Sequence, residues 1–202
     1  MKNILEEVPP TEDLMREHGV LNRVLIIYDT LLVQLKAGRE TNSKVLTEAA
    51  IMVRDFVHNY HEKQEEKHIF TIFEKNNSMV EMVTTLKEQH QIGRVITAGI
   101  IERAQSKNFN DPVNLKQLAE DMEAFVSVYR AHESREDTEL FPLVRTLITA
   151  EQFEKLADEF EDSEEELFGK HGFERMVTKV GELETQLGIH ELSSYTPKID
   201  KP

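Results

Sequence analysis

The sequence predicts an all-α protein, an up-down four-helix bundle with extra C-terminal helices. Three observations carry that reading. The 202 residues hold only 8 Gly and 6 Pro, so breaks between periodic stretches are few. Those stretches are long and charged, with apolar residues at steps of three and four, the helical period. Histidine and glutamate recur on the same apolar stripes in several successive segments.

The first helix is predicted over 11–37, with Thr11 as N-cap after Pro9-Pro10 and Gly38 as the stop. Its stripe reads Leu14, His18, Leu21, Leu25, Tyr28, Leu32, Leu35. The second begins between Thr41 and Ser43 and ends at Asn76-Asn77. The third starts near Ser78 and fades over 107–110; its stripe is Met79, Val83, Leu86, His90, Gly93, Thr97, Ile100, Ala104. The fourth follows Asp111-Pro112, an N-cap with proline at the first helical position. Its stripe is Leu118, Met122, Phe125, Tyr129, His132, Glu136, Glu139, Leu143, and Pro142 is expected to kink it or tighten its last turns. The bundle is thus assigned to 11–148, a helical extension packing on it to 149–187, and an irregular tail to 188–202. The acidic run Asp158 to Glu166 reads as a solvated helix face.

Composition removes several classes of function. Lys plus Arg number 24 against 38 Asp plus Glu, a net charge of −14, which phosphate backbones and anionic lipid repel. No nucleic acid and no membrane partner is therefore expected. There is no cysteine, which removes disulfides, thiolate metal sites and thiol catalysis. No apolar run approaches the roughly 20 residues of a membrane helix. Met1 to Pro10 lack the regions of a signal peptide, so a cytoplasmic protein is expected. A cysteine-free chain also suits an exported form whose leader is missing from the sequence.

Two segments repeat. His61-Glu-Lys-Gln-Glu65-Glu66-Lys-His-Ile69-Phe70 matches His132-Glu-Ser-Arg-Glu136-Asp137-Thr-Glu-Leu140-Phe141. A weaker match joins His18 to His90, each followed shortly by Arg-Val (Arg23, Arg94). The two intervals are alike: 43 residues from His18 to His61, and 42 from His90 to His132. Two similar hairpins, each giving His and then His-x-x-x-Glu, form a bundle with pseudo-two-fold symmetry.

Helix geometry brings these residues together. Positions i and i+4 differ by only about 40°, so His61 shares a face with Glu65, and His132 with Glu136. His18 lies 19 residues before Ala37 and His61 lies 19 after Asn42, equal depths across the first turn. Across the second turn His61 is 15 back from Asn76 and His90 is 13 on from Asn77. Each histidine alone reads as a satisfied core residue. Four histidines and two glutamates buried at one level do not, because such polar groups need compensation. A metal pair supplies it, with Glu65 and Glu136 placed to bridge and Glu62 a further candidate donor. Imidazole and carboxylate without thiolate suit iron or manganese. The donors are fewer than two octahedral ions want, which leaves room for a small ligand. Gly93 either gives that ligand space or lets two helices approach closely. His58 and His68 are expected beside the site, Tyr129 in the core or donating to a ligand, and His171 and His190 at the surface.

On these residues the chain resembles the hemerythrin-like, HHE cation-binding proteins over helices 1 to 4. The resemblance implies a non-haem di-iron centre of two iron ions with an oxo or hydroxo bridge, manganese or zinc being alternative occupants on purification. Its ligands would be His18, His61, His90 and His132, with Glu65 and Glu136 bridging. The implied partner is a small diatomic, dioxygen or nitric oxide, that the protein binds or senses, iron itself being the other candidate. Three departures matter. Oxygen carriers place a second His four residues after the third-helix His, where this chain has Arg94. Glu62 looks like the substitute used in iron-sensing hemerythrin domains of F-box proteins. Carriers also take their last carboxylate five residues after the final His, which here is Asp137; the i+4 residue Glu136 points more directly inward. A di-iron oxidoreductase is the alternative: a peroxidase, a nitric-oxide scavenger or an iron-centre repair factor. No separate nucleophile or cofactor fingerprint favours an enzyme, and the sequence sets no oligomeric state.

Overall fold

In the computed structural model, residues 8–197 are described; the N-terminal residues 1–7, part of the stretch weighed against a signal peptide, and the last residues of the tail, 198–202, lie outside. Proline opens the first helix. α1 (Pro10–Lys36) has Pro9 as its N-cap and Pro10 at its first position, with no side-chain cap, so the expected Thr11 cap is displaced by one turn-ready proline. It stops as predicted at Gly38, whose φ of 62° is left-handed. Asn42 caps α2 by accepting from the Val45 N–H at 3.2 Å.

α2 is one continuous rod over 43–75, but its hydrogen bonding changes along its length. It is α-helical over Ser43–Met52, π-helical over Val53–His61, α over Glu62–Gln64, π again over Glu65–Ile69, and α over Phe70–Lys75. α3 (Val80–Ala104) follows a turn in which Asn77 and Met79 take left-handed backbone. It starts two residues after the expected Ser78 and ends at Ala104, the last residue of the stripe, before the expected fade over 107–110. α4 covers 112–147, α-helical over Pro112–Arg135, π-helical over Glu136–Leu140 and α over Phe141–Leu147. Asp111 caps it, accepting from the N–H groups of Val113 at 2.9 Å and Asn114 at 3.2 Å. α5 (Ala150–Phe168) opens with a reciprocal Thr149–Gln152 capping box, and α6 (Gly172–Leu187) closes the helical part. The tail carries one short 3₁₀ turn, Leu192–Tyr195, where irregular chain was expected.

The π-turns repeat with the sequence. The Glu65 carbonyl accepts from the N–H of Phe70, and the Glu136 carbonyl accepts from the N–H of Phe141. Each bridge runs five residues, not four, so one extra residue enters the turn and the following side chains rotate around the helix. This changes the inward stripe of α4. Leu140, Phe141 and Val144 are buried, whereas the predicted Glu139 is only half-buried and Leu143 is exposed. Pro142 therefore follows a widened turn, and the tightening expected there does not occur.

α1 to α4 form the up-down bundle. Two apolar clusters fill it, one above and one below a polar level. The larger holds Leu25, Tyr28, Leu46, Phe56, Tyr60, Ile100, Phe125 and Tyr129. The smaller holds Leu14, Ile69, Phe70, Leu86, Leu140, Phe141 and Phe160. On α1, α2 and α4 the buried residues between the two clusters include histidines and glutamates, and on α3 they are His90, Gly93 and Thr97. α5 adds Phe153, Leu156 and Phe160 to the smaller cluster, and α6 adds Val180 and Leu183 to the larger. Gly93 serves close packing: a Cβ there would lie 1.9 Å from the Tyr129 hydroxyl.

An ion pair fastens α6 to α1. Arg23 Nε donates to Glu184 Oε1 at 2.8 Å and its Nη2 to Oε2 at 2.5 Å, while His190 lies 3.0 Å from the same carboxylate. Burial works against the charged carboxyl, but Arg23 and His190 outweigh it and hold its pKa below the ordinary 4.5. A carboxyl lowered in the folded state contributes stability above its unfolded pKa and loses it as pH falls through the folded one. Glu184→Gln should lower the melting temperature at neutral pH and shrink the loss of stability on acidification below about pH 4.5. Melting curves from pH 3 to pH 7 check this; parallel wild-type and variant curves would remove the pair from the stability of the fold.

Candidate metal centre

The polar level brings six of the predicted residues into contact range. His18 Nε2 and His61 Nε2 are 3.0 Å apart, and His90 Nε2 and His132 Nε2 are 3.1 Å apart. Glu65 lies between the two pairs. Its Oε1 is 3.4 Å from His61 and 4.0 Å from His18, and its Oε2 is 3.4 Å from His90. Glu136 closes the opposite side, with Oε2 3.1 Å from His132 and 3.5 Å from His18. Three sets of donor atoms lie close enough to hold an ion: His18, His61 and Glu65; Glu65, His90, His132 and Glu136; and Glu62, Glu66 and His90, the first two sharing Glu65.

The outward nitrogen of every one of these histidines meets an acceptor. His61 Nδ1 donates to Glu17 at 2.6 Å, and His18 Nδ1 to Asp137 at 2.8 Å. His132 Nδ1 donates to the Gln89 side-chain oxygen at 2.9 Å, and His90 Nδ1 to Glu66 at 3.2 Å. With Nδ1 carrying the hydrogen, each Nε2 presents a lone pair to the centre. The centre is then lined by acceptors alone. All four carboxylate oxygens of Glu65 and Glu136 are buried without a hydrogen-bond partner. Two lone pairs 3 Å apart beside orphaned carboxylates repel one another unless something positive stands between them. The residues present fit a cation.

The charge balance says the same. Burial opposes charge on His61, yet Glu65 and Glu17 raise its pKa well above the ordinary value. His90 is pushed up to about 10 against its burial by Glu65 and Glu66. Glu136 is raised well above a carboxyl's usual range by burial and then by the Glu65 charge beside it. His132 falls to about 4 through burial and the neighbouring charge of His90. Without a cation the cluster takes up protons at His61, His90 and Glu136; a cation displaces them, and only then is the lining made of acceptors alone.

Walls of aromatic carbon shut out water. Phe141 stacks on His18 with centroids 5.6 Å apart, and Phe70 stacks on His90 at 5.4 Å. These are the two phenylalanines that close the π-turns of Glu65 and Glu136, so one backbone feature positions each carboxylate and the ring that packs on the cluster.

Glu62 sits one turn aside from this cluster. Its Oε1 accepts from Tyr129 Oη and from His58 Nδ1, each at 2.7 Å, and its Oε2 lies 2.7 Å from Arg94 Nη2. Arg94, which stands where oxygen carriers have a histidine, also pairs with Glu66 at 2.6 Å. His58 is buried, its Nε2 accepting from Thr97 Oγ1 at 2.8 Å. His68 lies apart, 3.1 Å from Glu159. His171 is exposed and His190 half exposed. Asp137, the alternative to Glu136, faces away from the cluster and orients His18.

The sequence reading missed Glu17 and Gln89, and it gave Glu66 no role. The signal was present: Glu17-His18 and Gln89-His90 recur with the hairpins, as Glu65-Glu66 and Glu136-Asp137 do. The repeat thus carries the outer partners as well as the inner donors. Glu133, the counterpart of Glu62, accepts from Asn22, the counterpart of Arg94. Burial pushes the Glu133 carboxyl up to about 9.

A helical bundle whose polar core is a buried cage of imidazoles and carboxylates defines a cation-binding protein of the all-α class. The Hemerythrin HHE cation binding domain matches residues 10–144, and the chain belongs to that family. Uncharacterized proteins of Mycobacterium bovis and of two strains of Mycobacterium tuberculosis are 39% identical over 194 residues, covering 95% of this chain and 76% of each relative. No solved structure matches the chain significantly. Among the described residues no helix is long and apolar enough to cross a membrane.

Because Glu65 joins the first two donor sets, its removal should affect both positions. Glu65→Ala is expected to lower bound metal by more than half, and Glu136→Ala to lower it as well, in elemental analysis against protein of wild-type helicity. Wild-type metal content in both variants would show that neither carboxylate holds a cation.

Proposed function

We propose that this chain is a non-haem di-iron protein that binds or senses a small diatomic molecule. His18 and His61 would hold one ion and His90 and His132 the other, with Glu65 and Glu136 spanning the two. The observation that carries the reading is the acceptor-only lining. Four imidazole lone pairs and four orphaned carboxylate oxygens converge, and every outer imidazole nitrogen is already engaged. A nitrogen and oxygen donor set without thiolate favours iron over structural zinc. Four imidazoles and two carboxylates do not fill two octahedra, so positions remain for an exogenous ligand.

When bound, a reduced iron pair supplies electrons and coordination positions to a diatomic ligand. The chain's own residues do the rest. Glu17, Asp137, Glu66 and Gln89 fix the tautomer and ring orientation of the four histidines. Phe70 and Phe141 keep bulk water from the centre. Glu62 holds the Tyr129 hydroxyl and the Arg94 guanidinium on the His90 side of the cluster, a polar wall there.

The alternative, a di-iron oxidoreductase, draws on one observation. The fifth imidazole of the oxygen carriers is replaced by Arg94, whose guanidinium lies on Glu62 and Glu66. Fewer imidazoles leave more open coordination, which suits turnover as well as binding. One experiment separates the readings. The iron-loaded protein is reduced without air and titrated with dioxygen or nitric oxide while its absorption is followed. A reversible spectral change with about one ligand per iron pair supports binding or sensing. Multiple turnovers with peroxide or nitric oxide support the oxidoreductase, and an unchanging spectrum overturns both.

A further inference from the structure

Each half of the centre offers two imidazoles and reaches Glu65, and Glu136 lies nearer His132 (3.1 Å) than His18 (3.5 Å); the larger contrast is in what stands behind the imidazoles. Behind the His18 and His61 pair are two carboxylates, Asp137 at 2.8 Å and Glu17 at 2.6 Å. No Lys or Arg among the described residues pairs with either. Behind the His90 and His132 pair the partners are weaker. Gln89 is a neutral carboxamide, 2.9 Å from His132. Glu66 is charged but shared: it stands 3.2 Å from His90, 2.6 Å from Arg94 and 2.6 Å from Lys63.

An anion accepting from an imidazole N–H makes the opposite nitrogen a stronger donor to a metal. A carboxamide does this less. A carboxylate already neutralised by guanidinium and ammonium groups also does it less. Both effects act in the same direction.

We propose that the two metal positions are held with unequal strength, the His18 and His61 position being the tight one and the His90 and His132 position the exchangeable one. The inference rests on the dinuclear reading above. Loss of outer partners of this kind changes metal affinity by about 10- to 100-fold, so the two positions should differ by about tenfold or more. The exchangeable position lies beside Arg94, Glu62 and Tyr129, so the polar wall flanks the ion that comes and goes. The asymmetry would let the protein keep one ion while the occupancy of the second follows the free metal around it.

The test uses the full-length protein saturated with cobalt(II), an excess of EDTA, and the metal absorption as readout. Wild type should release its cobalt in two phases of equal amplitude, separated by about tenfold or more in rate. Gln89→Glu, which restores a carboxylate behind His132, should slow the fast phase. Glu17→Gln should accelerate the slow phase, and Asp137→Asn, at a more exposed position, should do the same if Glu17→Gln does not fold. Two ions leaving in one phase, or two phases unmoved by all these substitutions, would overturn the asymmetry and leave the dinuclear reading standing. Fewer than two ions bound at saturation would overturn both.

Discussion

The structure turns on a region of the interior where four imidazole nitrogens and two carboxylates face one another with only protons or a cation to hold them together. Imidazole lone pairs and carboxylate oxygens can share a small volume when protons or cations hold them together, and otherwise they drive the helices apart. Here the outer nitrogens of His18, His61, His90 and His132 are all engaged by acceptors, so each Nε2 faces the centre and must meet a proton or a cation there. Much of the remaining architecture follows from this. The polar level needs apolar mass above and below it to hold four helices in register, and the two hydrophobic clusters provide it. It also needs exclusion of water, which the stacked phenylalanines provide.

Pseudo-symmetry runs deeper than the sequence motif that reveals it. The inner donors, their outer partners, the π-turns at Glu65 and Glu136 and the rings of Phe70 and Phe141 all occur twice. The exceptions are therefore informative. Glu17 is paired with Gln89, Asn22 with Arg94, and His58 with Tyr129. Those three differences collect on the two sides of one cluster and give its halves unlike surroundings while each half keeps its two imidazoles.

Much of this was legible in the sequence because periodicity and spacing are one-dimensional. The stripe of α3 from Val83 to Ala104 is buried as read, and equal depths across the turns did bring His18, His61, His90 and His132 to one level. What escaped depends on three-dimensional detail. A five-residue hydrogen bond at Glu136 rotates the end of α4 and exchanges Glu139 and Leu143 for Leu140, Phe141 and Val144; a constant helical period cannot show that. Glu62 follows a histidine as a ligand would; its oxygens meet Arg94 and Tyr129 from two other helices, and it also lies in a candidate cation group with Glu66 and His90, a placement set by packing. Glu17 and Gln89 sit next to the histidines of their own helices and act on those of their neighbours, a relation visible only once the helices are packed.

The central claim is that cations, and not protons alone, hold this cluster together. Elemental analysis of the full chain, expressed in iron-replete medium and purified without added metal or chelator, tests it most directly. The account predicts about two transition-metal ions per chain, chiefly iron. A well-folded protein carrying none would contradict it.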